Sequence, residues 1–134
     1  MISTEQAKEL LKAEFSNWGV FAVSPIPGGL TNQNLLIETA NGEKFVVRLP
    51  GKDTDFFGID RKNEHAISRV AWEIGIAPEP VAFLSEYEIL VTRFVDGVPI
   101  DTNDSVAIRN VARLLHQLHS APEVPGVFDL PLVI

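Results

Sequence analysis

Apolar residues recur at helical spacing near the start of the chain. Ser3 and Gln6 have the spacing of a capping box, which satisfies backbone N–H groups at a helix N-terminus. The apolar series that follows is Ala7, Leu10, Leu11 and Phe15. This period predicts a first helix over about residues 4–16, closed by Trp18 and Gly19.

Three short runs rich in β-branched residues come next, at residues 20–27, 34–39 and 44–49. A Gly-Gly loop separates the first two runs, and the dipeptide Asn41-Gly42, typical of tight hairpin turns, separates the second from the third. The pattern therefore predicts three consecutive antiparallel strands.

A second amphipathic helix is predicted to begin after Asp60, whose side chain can cap its N-terminus. Gly75 ends this helix, and Pro78 and Pro80 beyond it prevent its continuation. Its apolar stripe consists of Ile67, Val70, Ala71 and Ile74.

Two more strands are predicted at residues 80–85 and 88–94, joined by a hairpin around Glu86-Tyr87. Polar residues 101–104 then start a third helix that runs to about His119. The apolar stripe of this helix is Val111, Leu114, Leu115 and Leu118. The order of elements predicts an α+β fold with a five-stranded antiparallel sheet and one helix inserted after the third strand.

Composition narrows the class of protein. A chain of 134 residues, 46% of them hydrophobic, can bury one core. The net charge of −7 disfavours nucleic acid as a partner. The sequence also lacks the run of about 18 apolar residues that a membrane span needs. Without cysteine there is neither a disulfide framework nor a thiolate site. We therefore expect a soluble, cytoplasmic protein without a nucleic-acid or membrane partner.

The loop between the first two strands carries the first candidate chemistry. Gly28 and Gly29 would let backbone N–H groups approach phosphate oxygens, while Thr31, Asn32 and Asn34 add side-chain donors. The alternative is an ordinary hairpin loop, because turns use glycine in all kinds of proteins.

A strand cation and a helix carboxylate form the second candidate. Arg48 ends the third strand and Glu64 lies in the first turns of the next helix, the spacing of a pair that lies over bound phosphates in kinase-type folds. Arg can replace the usual Lys because a guanidinium holds two phosphate oxygens at once. The alternative is two unrelated surface charges.

Four segments, in this order, carry a resemblance to a known family: GGLTNQN, FVVRLPG, RKNEHAI and ILVTRFVDGVPI. Together they resemble the N-terminal lobe of choline and ethanolamine kinases, which share the protein-kinase-like fold of the aminoglycoside phosphotransferases. The resemblance covers about residues 20–120 and implies ATP and Mg²⁺ as cofactors. It also implies a small alcohol, such as choline or ethanolamine, as the acceptor.

The resemblance also implies how adenine would be held. Thr92 would be the gatekeeper residue beside the adenine pocket. The backbone of Arg93 and Val95 would form hydrogen bonds with the adenine edge. The apolar residues that would pack on the rings are Ile26, Leu36, Val46 and Val91. For those four, the alternative is a place in the ordinary core of the sheet.

Catalytic residues of this kinase type are missing from the sequence. Phosphoryl transfer needs an aspartate, an asparagine a few residues later and a further aspartate for Mg²⁺. After His116 the only carboxylates are Glu123 and Asp129, and neither has that spacing to an asparagine. We therefore expect an ATP-binding N-terminal lobe at residues 1–97, and a linker with the first helix of a truncated C-terminal lobe at residues 98–134.

No metal site is predicted in this chain. The candidates with suitable side chains are Asp53, Asp55, Asp60, His116 and His119. The aspartates precede the second helix, whereas a metal-binding aspartate should follow the catalytic loop, and the two histidines lack a third ligand.

Two other classes of protein stay open. The chain could be a stand-alone nucleotide-binding or protein-interaction module without catalysis, or a small α+β binding domain unrelated to kinases. In the first case, the apolar stripe of the third helix predicts self-association.

Overall fold

The computed structural model describes residues 4–19, 21–28, 32–51 and 60–122. Its helices are α1 (Thr4–Glu14), a short 3₁₀ helix (Ser16–Trp18), α2 (Arg61–Glu73) and α3 (Ser105–His119). Its strands are β1 (Phe21–Ile26), β2 (Asn32–Thr39), β3 (Lys44–Pro50), β4 (Pro80–Leu84) and β5 (Ile89–Arg93).

The five strands form one antiparallel sheet in the order β1-β2-β3-β5-β4. The first three strands are neighbours in sequence order, and β5 pairs with β3 after the chain has passed through α2 and β4. Gly42 has a φ of +83° in the β2–β3 turn, a conformation that glycine adopts without steric cost. The predicted α+β sheet with a helix inserted after its third strand is confirmed.

The hydrophobic core lies between α1 and one face of the sheet. Ala7 and Leu11 of α1 are fully buried there, with Phe15 just after the helix. The sheet contributes the buried side chains of Leu35, Ile37, Phe45, Val47, Leu49, Ile89 and Val91. Burying these apolar side chains is the main favourable contribution to folding.

The end of α1 differs from the prediction. The α-helix stops at Glu14, and the 3₁₀ turn after it brings Trp18 between two other rings. The Trp18 ring centroid lies 4.2 Å from that of Phe15 and 4.2 Å from that of Phe45. This aromatic stack explains why the last predicted turn is wound more tightly.

The second helix begins where the sequence predicts. Asp60 caps it by accepting hydrogen bonds from the backbone N–H groups of Lys62 (2.8 Å) and Asn63 (3.3 Å). The helix packs against β4, where the rings of His65 and Phe83 stack with centroids 4.8 Å apart. The cap and this contact fix the position of the first turn of α2 relative to the sheet.

The third helix is capped by Asp104 and is largely exposed to solvent. Its C-terminal end contributes Leu118, with Ala121 and Pro122 after it, to a cleft of about 220 Å³ shared with Ile67 and Val70 of α2. Across the described ranges, no helix is both long enough and apolar enough to cross a membrane.

Candidate functional site

The two faces of the sheet differ in chemistry. Along β2 and β3, every second residue lies in the core against α1, and the residues between them lie on the opposite face, here called the site face. Cross-strand pairing shows which residues share it, since partners directly opposite each other point to the same side. The site face carries Ile26, Asn32, Asn34, Leu36, Val46, Arg48 and Thr92.

Arg48 and Glu64 form an ion pair between β3 and α2. Arg48 Nη1 donates to Glu64 Oε1, which ties the two elements together across the site face. The Arg48 side chain is 40% exposed and that of Glu64 is 22% exposed. Part of the Arg48 side chain is therefore open to solvent, where a ligand could reach it while the Glu64 carboxylate holds Nη1.

A second arginine, Arg61, contacts the same carboxylate and is absent from the predicted site residues. Its Nη1 donates to Glu64 Oε2 (2.6 Å) and its Nη2 donates to Asn32 Oδ1 (2.8 Å). Arg61 is only 5% exposed. It stands one helical turn before Glu64, a spacing that does predict contact along a helix, but Asn32 is 29 residues away.

Asn34 lies directly opposite Arg48 in the β2–β3 pairing. Its Oδ1 is buried and has no hydrogen-bond partner in the described part of the chain, and the same is true of Arg61 Nε. A buried polar atom without a partner costs free energy, so a polar ligand at this position would relieve that cost. The predicted residues Asn32, Asn34, Arg48 and Glu64 thus lie together, with Arg61 between them.

Of the glycine loop between β1 and β2, the structure describes Pro27 and Gly28. Gly28 has a φ of +106° with open space where a side chain would begin, so its requirement is for backbone conformation and not for room. Gly29 and Thr31 lie outside the described residues, as do Ser3, Asp53, Asp55, Glu123 and Asp129.

Three of the four apolar residues expected against adenine lie on the site face. Val46 and Leu36 are cross-strand partners, Ile26 is opposite Asn34, and all three are half-buried. Thr92 lies opposite Val46 at the same face. These side chains form an apolar surface next to the charged cluster.

Val91 was predicted for this surface, and that prediction is wrong. Val91 lies opposite Val47 on the other face of the sheet, where it is fully buried in the core beneath α1. A strand turns successive side chains to opposite faces, so Val91 and Thr92 cannot share one.

The backbone at the end of β5 and just after it carries the groups predicted to bind the adenine edge. The Arg93 N–H donates to the Glu79 carbonyl oxygen (2.8 Å). The Val95 N–H has no hydrogen-bond partner within the described ranges, and Val95 is 64% exposed. The role of both residues at an adenine edge stays a prediction.

The Arg93 side chain lies on the face of the sheet opposite the site face. It donates to Glu79 Oε2 (3.1 Å) and Glu43 Oε1 (3.3 Å), and it lies over the Phe45 ring at 5.4 Å. These carboxylates raise the pKa of Arg93, the bond to Glu79 contributing most. The pKa of Glu43 is lowered, first by the hydrogen bond from Asn41 and then by that from Arg93.

The remaining polar candidates have other places. Asp60 is the cap of α2, and His116 and His119 are exposed in the last turn of α3. Within the described ranges, no three His, Asp or Glu side chains come close enough together to hold a metal ion.

Comparison with solved structures identifies the fold. The choline kinase LicA from Streptococcus pneumoniae superposes with a TM-score of 0.68 at 27% identity, over 90% of this chain and 43% of that protein. A choline/ethanolamine kinase family protein from Mesorhizobium loti gives a TM-score of 0.62 at 23% identity, over 96% of this chain and 40% of that protein. At the second identity the likeness concerns the fold alone. The chain spans less than half the length of either protein.

The structural likeness agrees with the sequence. Comparison with curated protein sequences gives no significant match. The sequence profile of the phosphotransferase enzyme family, APH, matches residues 22–131, which include α2, α3 and all of the sheet except Phe21. The five-stranded sheet with its helices is that of a protein-kinase-like N-terminal lobe, and the chain belongs to the phosphotransferase enzyme family.

Proposed function

We propose that this chain is the nucleotide-binding lobe of an ATP-dependent small-molecule kinase of the choline/ethanolamine kinase type. The observation that carries the proposal is the Arg48–Glu64 ion pair on the site face, with Asn34 opposite Arg48. A strand cation held by a helix carboxylate is the device by which kinase folds position nucleotide phosphates.

In this proposal the nucleotide lies along the site face. An apolar surface of Leu36, Val46 and Thr92 would suit a purine, and Arg48 and Asn34 stand one cross-strand pair further along for the phosphates. Arg48 has five N–H donors, and Glu64 accepts from Nη1 alone. The Asn34 amide can turn either its oxygen or its N–H₂ group toward a ligand, because its two ends have nearly the same shape.

In this proposal the residues of this chain bind and orient the nucleotide. Arg48 binds phosphate oxygens and Glu64 holds the guanidinium in place. The Arg93 carbonyl oxygen and the Val95 N–H bond the adenine edge. The remaining phosphate donors are Gly28, Gly29, Thr31, Asn32 and Asn34. When bound, ATP supplies a γ-phosphoryl group that can be transferred to a hydroxyl, and Mg²⁺ accompanies its phosphates.

The acceptor is proposed from the neighbours alone. Both matched proteins are named as choline or choline/ethanolamine kinases, so a small alcohol of that kind is the first to test. We propose that the boundary between the lobes falls at residues 97/98, because β5 ends at Arg93 and α3 begins at Ser105.

Replacing Arg48 by Ala tests the proposal. We expect the wild-type chain to bind Mg-ATP in isothermal titration calorimetry, and Arg48→Ala to bind it about 10- to 100-fold more weakly, because a charge-assisted hydrogen bond is worth about 1.5–3 kcal/mol. The fold should survive, since the Arg48 side chain is 40% exposed.

The matched control for this test is Arg69→Ala on the same helix as Glu64. Arg69 is 60% exposed and, among the described residues, pairs only with Glu73, so its removal should leave affinity unchanged. Wild-type protein that does not bind Mg-ATP, or an Arg48→Ala variant with undiminished affinity, would contradict the proposal.

A second function, association between copies of the chain, has one observation in its favour. The linker and α3 expose several large apolar side chains, and monomeric soluble proteins rarely expose large apolar patches. They are Val95, Val98, Ile100, Val106, Ile108, Leu114 and Leu115. We propose that two copies bury this surface against each other.

Leu115→Glu tests the association, because it places a charge at the centre of the α3 stripe. Wild-type protein should scatter light as a dimer and Leu115→Glu as a monomer. Gln117→Glu adds the same charge at an exposed polar position of α3 and should remain dimeric. A wild-type protein that is monomeric at every concentration would refute the association.

A further inference from the structure

A buried arginine lies between the two halves of the candidate site. Arg61 is 5% exposed, and an arginine this buried is rare unless its charge is paired. Its partners lie on two different elements: Glu64 on α2 and Asn32 at the first position of β2, directly after the glycine loop. Arg61 therefore connects the helix that holds Arg48 to the strand that leads out of the loop.

The geometry shares one carboxylate between two guanidinium groups. Glu64 accepts from Arg48 with Oε1 and from Arg61 with Oε2. Arg61 contacts the second oxygen, and Arg48 contacts Glu64 through Nη1 and Oε1 instead of forming the two-pronged pair that arginine and carboxylate favour. The cluster also carries two positive charges and one negative charge, so it keeps a net positive charge for an anion.

We infer that Arg61 is a positioning residue: it keeps the Arg48 guanidinium available for phosphate and ties the start of β2 to α2. The inference rests on the proposed nucleotide site and adds to it a residue that touches neither base nor phosphate. Without Arg61, the Glu64 carboxylate turns both oxygens to Arg48, the guanidinium is drawn away from the phosphates, and Asn32 loses its anchor.

The test compares Arg61→Met with Arg69→Met, two arginines of α2 that differ in burial and partners. Binding of Mg-ATP and of adenosine is measured for each variant by calorimetry, or by ligand-observed NMR where binding is weak. We expect Arg61→Met to bind Mg-ATP about tenfold more weakly while adenosine binding stays unchanged, because the residue acts through phosphate contacts. Arg69→Met should match the wild type for both ligands.

A double variant separates positioning from general damage. Because Arg61 acts in part through Arg48, the loss of Mg-ATP affinity in the double variant Arg48→Met with Arg61→Met should be smaller than the product of the two separate losses. Equal weakening of adenosine and Mg-ATP, or losses that multiply in the double variant, would overturn the inference. Unchanged Mg-ATP binding by Arg61→Met would overturn it as well and leave the proposed function standing.

Two further results have a defined meaning. Wild-type protein that binds neither ligand refutes the proposed function and this inference together. If Arg61→Met does not fold, Arg61→Lys carries the same cycle, because it keeps the buried charge but lacks the planar fork that reaches Glu64 and Asn32 together. Its Mg-ATP affinity should then fall while its adenosine affinity stays at the wild-type value, and the opposite pattern refutes the inference.

Discussion

In the proposed site, Arg48 takes the place that kinase folds usually give to a lysine, and this difference has a physical consequence. A lysine presents a compact point charge, whereas a guanidinium offers a planar set of donors that can bond a carboxylate and a phosphate along different edges. Glu64 holds one edge of Arg48, and the solvent-exposed part of the side chain is the part a phosphate could reach. The site thus separates the group that positions Arg48 from the group it would bind.

Two valines on opposite faces of the sheet give a matched test of which face binds the base. Val91→Ala removes a fully buried core side chain and should lower the free energy of unfolding by about 2 kcal/mol, with nucleotide affinity unchanged in the folded fraction. Val46→Ala, on the half-buried site face, should cost less stability and weaken Mg-ATP binding. Urea denaturation and calorimetry measure the two effects, and lower affinity in Val91→Ala than in Val46→Ala would reverse our assignment of the faces.

At the scale of the elements, most of the fold could be predicted from the sequence, because each helix and strand has local signals. Asp60 caps α2 where its side chain predicts, and Asn41-Gly42 forms the β2–β3 turn. The end of α1 could not be predicted, because it depends on the Trp18 ring lying against Phe45, which belongs to another element.

The site was predictable only in part, for a similar reason. The Arg48–Glu64 pair follows from the order of elements, whereas Arg61 acquires its role through Asn32, a contact between distant parts of the chain. The face of Val91 was missed because Ile89, Leu90 and Val91 form an unbroken apolar run, all buried, in which alternation gives no sign of the face.

We expect the stability of the fold to depend on pH through Glu43 in the β2–β3 turn. The hydrogen bonds from Asn41 and Arg93 lower the pKa of Glu43 in the folded protein. A carboxyl group whose folded pKa is lowered stabilises the fold above its unfolded pKa, and this contribution disappears as the pH falls through the folded value. The stability difference between wild type and Glu43→Gln should therefore be constant near neutral pH and shrink below about pH 5.

Urea denaturation of both proteins between about pH 7 and about pH 3 measures this difference. Glu86→Gln, at an exposed position of the β4–β5 turn outside this network, is the control for loss of a surface charge. A difference that grows as the pH falls would mean that Glu43 is not stabilised as a carboxylate.

At the scale of the whole molecule, the two faces of the sheet have different roles, one in stability and the other in the proposed binding site. One face builds the core with α1 and carries stability, and the other presents Arg48, Asn34 and an apolar surface beside α2. Because the two faces share the same strands, a ligand on the site face contacts elements already held rigid by the core. Such support from a packed scaffold reduces the ordering cost of binding.

The central claim is that the site face binds a nucleotide, with its phosphates at Arg48 and its base toward the segment after β5. Amide hydrogen exchange with and without Mg-ATP tests it most directly, because it reports where binding protects the backbone. The account predicts slower exchange in peptides that cover residues 26–34 and 92–96, and unchanged exchange in α1 (Thr4–Glu14). Protection confined to α1 or α3, or no protection at saturating Mg-ATP, would contradict it.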